Sequence, residues 1–181
     1  MKLLIWITGI FVLAVLSFSN LNAQSTEDST NKVFKDFKSE LVWEAKVKIG
    51  EAQNVGESKR GVRRVIPILG GTFEGPEIKG SILPMGEDWQ LVRPDGDTEL
   101  YARYLLKTND GHIIHVLNQA LIHVGEENNK FYCKSVLDLE APINSPYEFL
   151  NHSVFIGTLG FPELQQGEEP YVIIGVYKLL Q

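Results

Sequence analysis

The chain has 181 residues, with 17 Lys and Arg against 23 Asp and Glu, 44% hydrophobic and 10% aromatic residues, and a single Cys. That length suits one domain with a sizeable core and excludes two large ones. A formal net charge of −6 excludes the basic surface that a nucleic-acid partner requires, and one Cys excludes an intrachain disulfide framework or a Cys-cluster metal site.

Residues 1–23 read as an address. One Lys precedes an apolar run, Leu3–Leu16, followed by polar residues and Ala23, the order of a secretory signal peptide. The run is about 14 residues, short of the roughly 20 that span a bilayer as a helix. The expectation is an exported protein of the bacterial periplasm, with no stable membrane insertion once the signal is removed. Residues 24–40 (QSTEDSTNKVFKDFKSE) carry too little apolar surface to offset their ordering entropy, and are expected to be a flexible N-terminal segment. Val33, Phe34 and Phe37 could form one short helical turn in it. Residues 41–181 are the candidate domain.

From Leu41 onward a period of two dominates. Trp43, Ala45, Val47 and Ile49 alternate with Glu44, Lys46 and Lys48, the pattern of a half-buried strand. Further strands are expected at Val62–Ile68, Glu77–Leu83, Asp88–Arg93, Glu99–Leu106, His112–Val124, Phe131–Leu139, Ser153–Thr158 and Tyr171–Leu179. Turn chemistry separates them at Gly70-Gly71, Gly75-Pro76, Pro84-Met85-Gly86, Pro94–Asp97, Asn109–Gly111 and Gly125–Asn129. Glu148–His152 is expected to form at most one helical turn. Strands with one apolar face in a single domain must close into a barrel or stack as a sandwich. The regular hairpin spacing, and a last strand near the C-terminus able to pair with the first, favour an all-β fold. It is expected to be a single closed, mostly antiparallel β-barrel, lipocalin-like in plan, of about eight to nine strands.

Ordered motifs run from Gly61: Gly61–Arg64, Gly70–Pro76 (GGTFEGP), Gly80–Gln90 (GSILPMGEDWQ), Arg93–Gly96, Ala102–Tyr104 and Asp110-Gly111, with Tyr147–Asn151 and Val154–Gly157 later. This series resembles the DUF3237 family, also called UPF0311, over most of Leu41–Leu179. Departures from the family pattern are Met85, Glu87 and Gln119-Ala120. The resemblance implies a β-barrel with a small central cavity, and no settled activity.

Catalytic signatures are absent: there is no Gly-x-Ser-x-Gly elbow, no phosphate loop and no His-Glu-x-x-His helix. His112 and His115 fall on opposite faces of a strand, and His115 and His123 would lie about 27 Å apart along it, so no metal is expected. No cofactor is expected either. Cys133 reads as a small core residue. The Asn151-His152-Ser153 sequon is uninformative in a bacterial export context.

Parity along the strands supplies the candidate site. Trp89, Leu91 and Arg93 share one face and Asp88, Gln90 and Val92 the other. Leu100, Ala102, Tyr104 and Leu106 oppose Glu99, Tyr101, Arg103 and Leu105, while Arg64, Ile66 and Ile68 oppose Arg63, Val65 and Pro67. A barrel of about eight strands has room for one small ligand. Asp88, Arg103 and Tyr104 are candidate catalytic residues; Arg63, Trp89, His115 and Asn118 are candidate ligand contacts. Strand neighbours point oppositely, so one of Asp88/Trp89 and one of Arg103/Tyr104 should line a cavity unless a bulge intervenes. The alternative is a structural one, with Arg63 or Arg103 paired to Asp88 or Asp95 as a strut between strands and Trp89 as core filler.

Two functions of different class fit. The first is a small-molecule-binding barrel whose ligand is partly aromatic or anionic. The second is a cofactor-free isomerase, cyclase or lyase acting on a phenolic or carbonyl compound through Arg, Asp and Tyr. Exposed strand edges would offer a route to a homodimer.

Overall fold

Alternating patterns do become strands, and the described residues form ten strands in all, joined in one sheet. In chain order they are β1 (Lys38–Ile49), β2 (Gln53–Ser58), β3 (Gly61–Glu74), β4 (Lys79–Ile82), β5 (Gly86–Val92), β6 (Thr98–Thr108), β7 (Ile113–Val124), β8 (Phe131–Glu140), β9 (Phe155–Gly160) and β10 (Tyr171–Leu180). The one helical element among the described residues is a 3-10 turn, Glu148–His152. The computed structural model describes residues 37–125 and 131–180. The expected signal peptide at 1–23 and the N-terminal segment up to residue 36 lie outside the described residues. Residues 38–40, grouped with that segment above, are the first residues of β1.

Every strand pairing is antiparallel, and the sheet closes on itself. β1 pairs β10 from Lys38↔Leu180 to Lys48↔Tyr171, and pairs β3 from Glu44↔Glu74 to Ile49↔Ile68. β1 and β2 follow one another along one side of β3, as β4 and β5 do along the other. Ten segments therefore occupy eight positions in an up-and-down barrel. The expected closed antiparallel barrel is the observed fold. Among the described pairings β2 bonds only to β3.

Two local expectations are corrected. Gln53–Ser58 (QNVGES) has almost no apolar alternation, and its strand state comes from pairing with β3 rather than from its own propensity. Gly70-Gly71, read above as a turn, lies inside β3. There φ is 121° and 141°, and a Cβ at Gly71 would sit 2.0 Å from the Lys46 carbonyl oxygen. The glycines let β3 bend against β1 at the point where its other neighbour changes from β5 (Ile68↔Gly86) to β4 (Gly71↔Ile82).

One end of the barrel is solid. Trp43, Phe73, Leu106, Ile114, Phe155 and Val176 are essentially fully buried there, with the Trp43 and Phe73 rings edge to face at 5.7 Å. Each such side chain contributes roughly 1.5–3 kcal/mol through burial. The 3-10 turn adds Leu150 to this floor. Asn151 fastens it, because its Oδ1 accepts from the Ala141 N–H at 2.7 Å and its Nδ2 donates to the Ala141 carbonyl at 3.0 Å. Cys133 is buried, as its parity predicts, and burial pushes its thiol pKa up. Among the described residues no helix is long and apolar enough to cross a membrane.

Candidate functional site

The opposite half of the lumen is not filled. Small residues leave the space: the inward row Leu100↔Ala120↔Ser135↔Gly157 runs across β6, β7, β8 and β9, and in the next row Ala102 stands between Asp88 and Asn118. The result is a partly open cavity of about 160 Å³. Its wall is apolar at Ile66, Leu100, Ile122, Leu159 and Val172, and polar at Arg64, Asp88, Gln90, Tyr104 and Asn118.

The polar groups form a chain. Arg64 and Gln90 are directly opposed on β3 and β5. Arg64 Nε donates to Gln90 Oε1 at 2.7 Å, and Gln90 Nε2 donates to Asp88 Oδ2 at 2.6 Å. The Tyr101 N–H donates to Asp88 Oδ1 at 3.1 Å. Burial pushes the Asp88 carboxyl above its ordinary value; Gln90, the Tyr101 N–H and the Arg64 charge oppose that shift without cancelling it. Tyr104 is 2% exposed and Asn118 7%, yet the Tyr104 hydroxyl and Asn118 Oδ1 have no hydrogen-bond partner. Burial, with the Asp88 charge nearby, raises the Tyr104 phenol pKa, so it stays a neutral hydroxyl.

Parity is obeyed without a bulge at the critical pairs. Asp88, Tyr104 and Asn118 line the lumen. Trp89, Arg103, Arg63 and His115 do not; they lie on the outer face of the sheet, which corrects their assignment as lumenal contacts and removes Arg103 from any chemistry inside. Trp89 is 43% exposed and its Nε1 donates to Glu87 Oε2. His115 Nδ1 lies 3.1 Å from Glu140 Oε1 at the surface. Asp88 makes no bond to Arg63 or Arg103, so the strut of that composition does not form; its link to a guanidinium runs through Gln90 to Arg64. Sequence reasoning passed over Arg64 and Gln90. Parity groups Arg64 with Ile66 and Ile68, and Gln90 with Asp88, and identifies them as lumenal only once the inward face of the sheet is known.

A second hollow of about 900 Å³, bordered by Arg63, Trp89, Tyr101 and Val136, is an open concavity on the outside of the sheet. It is larger, but water reaches its polar rim, whereas the lumen holds two buried polar atoms without partners, Tyr104 Oη and Asn118 Oδ1. Other motif residues serve turns. Arg93 bonds Asp95 at 2.7 Å and Asp97 at 2.8 Å across the turn after β5. Asp110 accepts from Thr108 and, at 3.0 Å, from the Tyr147 hydroxyl, tying the β6–β7 hairpin to the residue preceding the 3-10 turn. Among the described residues no three His, Cys, Asp or Glu side chains converge on a metal position.

A family model described as "Protein of unknown function (DUF3237)" matches residues 37–179. The chain belongs to the DUF3237 family. A UPF0311 protein of Rhodopseudomonas palustris (strain TIE-1) is 45% identical over 74 residues, 41% of this chain and 48% of that relative. The aligned part of this DUF3237 chain spans about half the length of the first such relatives. A crystal structure of a beta-barrel like protein from Acinetobacter baumannii AYE superposes with a TM-score of 0.70 at 32% identity, covering 80% of this chain and 97% of that one. A crystal structure of an enzyme from Penicillium herquei has a TM-score of 0.60 at 20% identity, over 80% of this chain and 95% of that one. At that identity the likeness is one of fold.

Proposed function

We propose that the barrel binds one small, partly aromatic or anionic molecule in its lumen. The observation that carries this reading is the pairing of a lumenal cavity with two buried polar atoms, Tyr104 Oη and Asn118 Oδ1, that no protein group satisfies. Buried polar atoms left without partners cost about 1–3 kcal/mol each, and a ligand in the cavity would recover that. The apolar walls supply affinity and the polar wall orients the guest. Ala102→Leu fills the space between Asp88 and Asn118 and is the direct test. Small aromatic acids and phenols should raise the melting temperature of the native protein and leave that of the folded variant unmoved. A native protein indifferent to every compound would sink the proposal.

A second reading rests on Asp88. A carboxyl whose pKa is raised by burial suits proton abstraction, which supports a cofactor-free isomerase on a carbonyl compound. Asp88 would take a proton from the carbon beside the carbonyl, the C–H electron pair moving onto the carbonyl oxygen as an enolate bonded by Tyr104. With a β,γ-unsaturated carbonyl compound the enolate is conjugated, and the same proton would return at the γ carbon as the double bond shifts and the carbonyl re-forms, so no co-reactant is consumed. Asp88→Asn would then abolish turnover while ligand binding persists.

A further inference from the structure

The lumen carries more information than that it is hollow. We infer that its guest is a neutral molecule of single-ring size bearing one hydroxyl group, which accepts a hydrogen bond from Tyr104 and donates one to Asn118. This rests on lumenal binding and narrows it from a partly aromatic or anionic molecule to one charge state and one functional group.

Size comes first. An apolar cavity of about 150 Å³ holds one benzene ring, and this one measures about 160 Å³. Fused-ring compounds would have to displace wall side chains or protrude from the cavity.

Polarity comes from what is already paired. Both oxygens of Asp88 accept hydrogen bonds from protein donors, and Arg64 Nε is spent on Gln90. The other N–H groups of Arg64 and the Ser135 and Thr158 hydroxyls also line the lumen, but the lumenal polar atoms that are fully buried without a partner are the Tyr104 O–H and the Asn118 carbonyl oxygen. Ala102 is registered with Asn118 and Tyr104 with Val116, so Tyr104 and Asn118 are diagonal neighbours on one face, about 7–8 Å apart along the ladder. A hydroxyl is both acceptor and donor and answers the two at once. A carboxylate only accepts: it would meet Tyr104 and the remaining N–H groups of Arg64, and would leave the buried Asn118 Oδ1 facing its lone pairs. An ammonium would satisfy Asn118 but must surrender its hydration in a lumen where Arg64 already holds the positive charge. A plain hydrocarbon fits and leaves both groups unpaired.

Titrating the native protein by calorimetry with phenol, cyclohexanol, toluene, benzoate and benzylamine separates these cases. Phenol and cyclohexanol should bind, toluene about tenfold more weakly than phenol, and the two ions more weakly still. Tyr104→Phe should bring phenol down about tenfold to the level of toluene while toluene binding is unchanged. Benzoate or benzylamine binding more tightly than phenol, or toluene binding as tightly, overturns the neutral-hydroxyl assignment and leaves lumenal binding standing. Binding of none of the five overturns both. The comparison among ligands on the native chain decides the matter even if Tyr104→Phe does not fold.

Discussion

Asp88 shows how much chemistry one position can hold. Its carboxyl meets three stabilising influences and one opposing influence, burial, which prevails and leaves its pKa raised. In the folded state it therefore binds its proton more tightly than in the unfolded chain, whose carboxyl titrates near 3.8. Stability should fall as pH rises from that value through the raised one, because ionising the buried group costs more than ionising the exposed one. Asp88→Asn removes this dependence. Its broken bond to Gln90 adds a constant offset, so the informative quantity is the difference in melting temperature between variant and native protein across pH 3.5 to 7. That difference should move in the variant's favour as pH rises; a flat difference would mean that the carboxyl is not burdened by burial. The residue scale is also where the sequence was least sufficient. Alternation showed that Asp88 and Trp89 exclude one another from a cavity, as do Arg103 and Tyr104, but not which of each pair enters. That choice depends on which face of the sheet curls inward, a property of closure. The substitution of Arg64 for Arg63 as the lumenal guanidinium has the same origin: Val62, Val65 and Ile66 place apolar side chains on both faces of β3, so parity alone gave no preference.

At the scale of the element, β3 is the hinge of the construction. Over its 14 residues it serves β2 and β5 with its first half and β1 and β4 with its second. Gly71 makes the changeover possible, having both a φ of 141° and the Lys46 carbonyl where a Cβ would go. Gly71→Ala should cost more than about 2 kcal/mol, combining backbone strain with a clash against the main chain. Gly96, at φ 91° in a turn with nothing within 4 Å, is the control: Gly96→Ala should cost about 1 kcal/mol. Urea denaturation of both variants checks the contrast, and equal losses would show that the close approach to Lys46 is not what makes Gly71 necessary. Most strands were legible, because Trp43–Ile49, Leu100–Leu106 and Cys133–Leu139 alternate cleanly, and Leu100–Leu106 is bounded by a Pro-Asp-Gly and an Asn-Asp-Gly turn. β2 was not, since its residues are held by a partner rather than by their own pattern, and a Gly-Gly pair is written identically for a turn and for a bend within a strand.

For the whole molecule, closure converts ten segments into one cylinder with two unlike ends. Leu150 and the Asn151 clasp on Ala141 belong to the floor, while the empty volume lies among Ala102, Ala120 and Ser135. Loss of the clasp should therefore be felt in stability and not in recognition. Asn151→Ala removes two hydrogen bonds and leaves the Ala141 main-chain groups to water or to nothing, so the variant should lose about 1–3 kcal/mol of stability. Its affinity for whatever compound binds the native lumen should stay within twofold. Parallel denaturation and calorimetry on this variant check both halves, and a large drop in affinity would mean that the two ends are mechanically coupled.

The uneven filling of the cylinder has a consequence for how such a scaffold can change. The bulkiest fully buried side chains gather at one pole; those that border the empty volume are different residues farther along the barrel. If the lumen takes a guest as proposed, exchanging Arg64, Gln90 or Asn118 would alter the taste of the chamber without touching its keystone, so a lineage could pass from one guest to another by editing a handful of wall positions, each step still leaving a protein that stands.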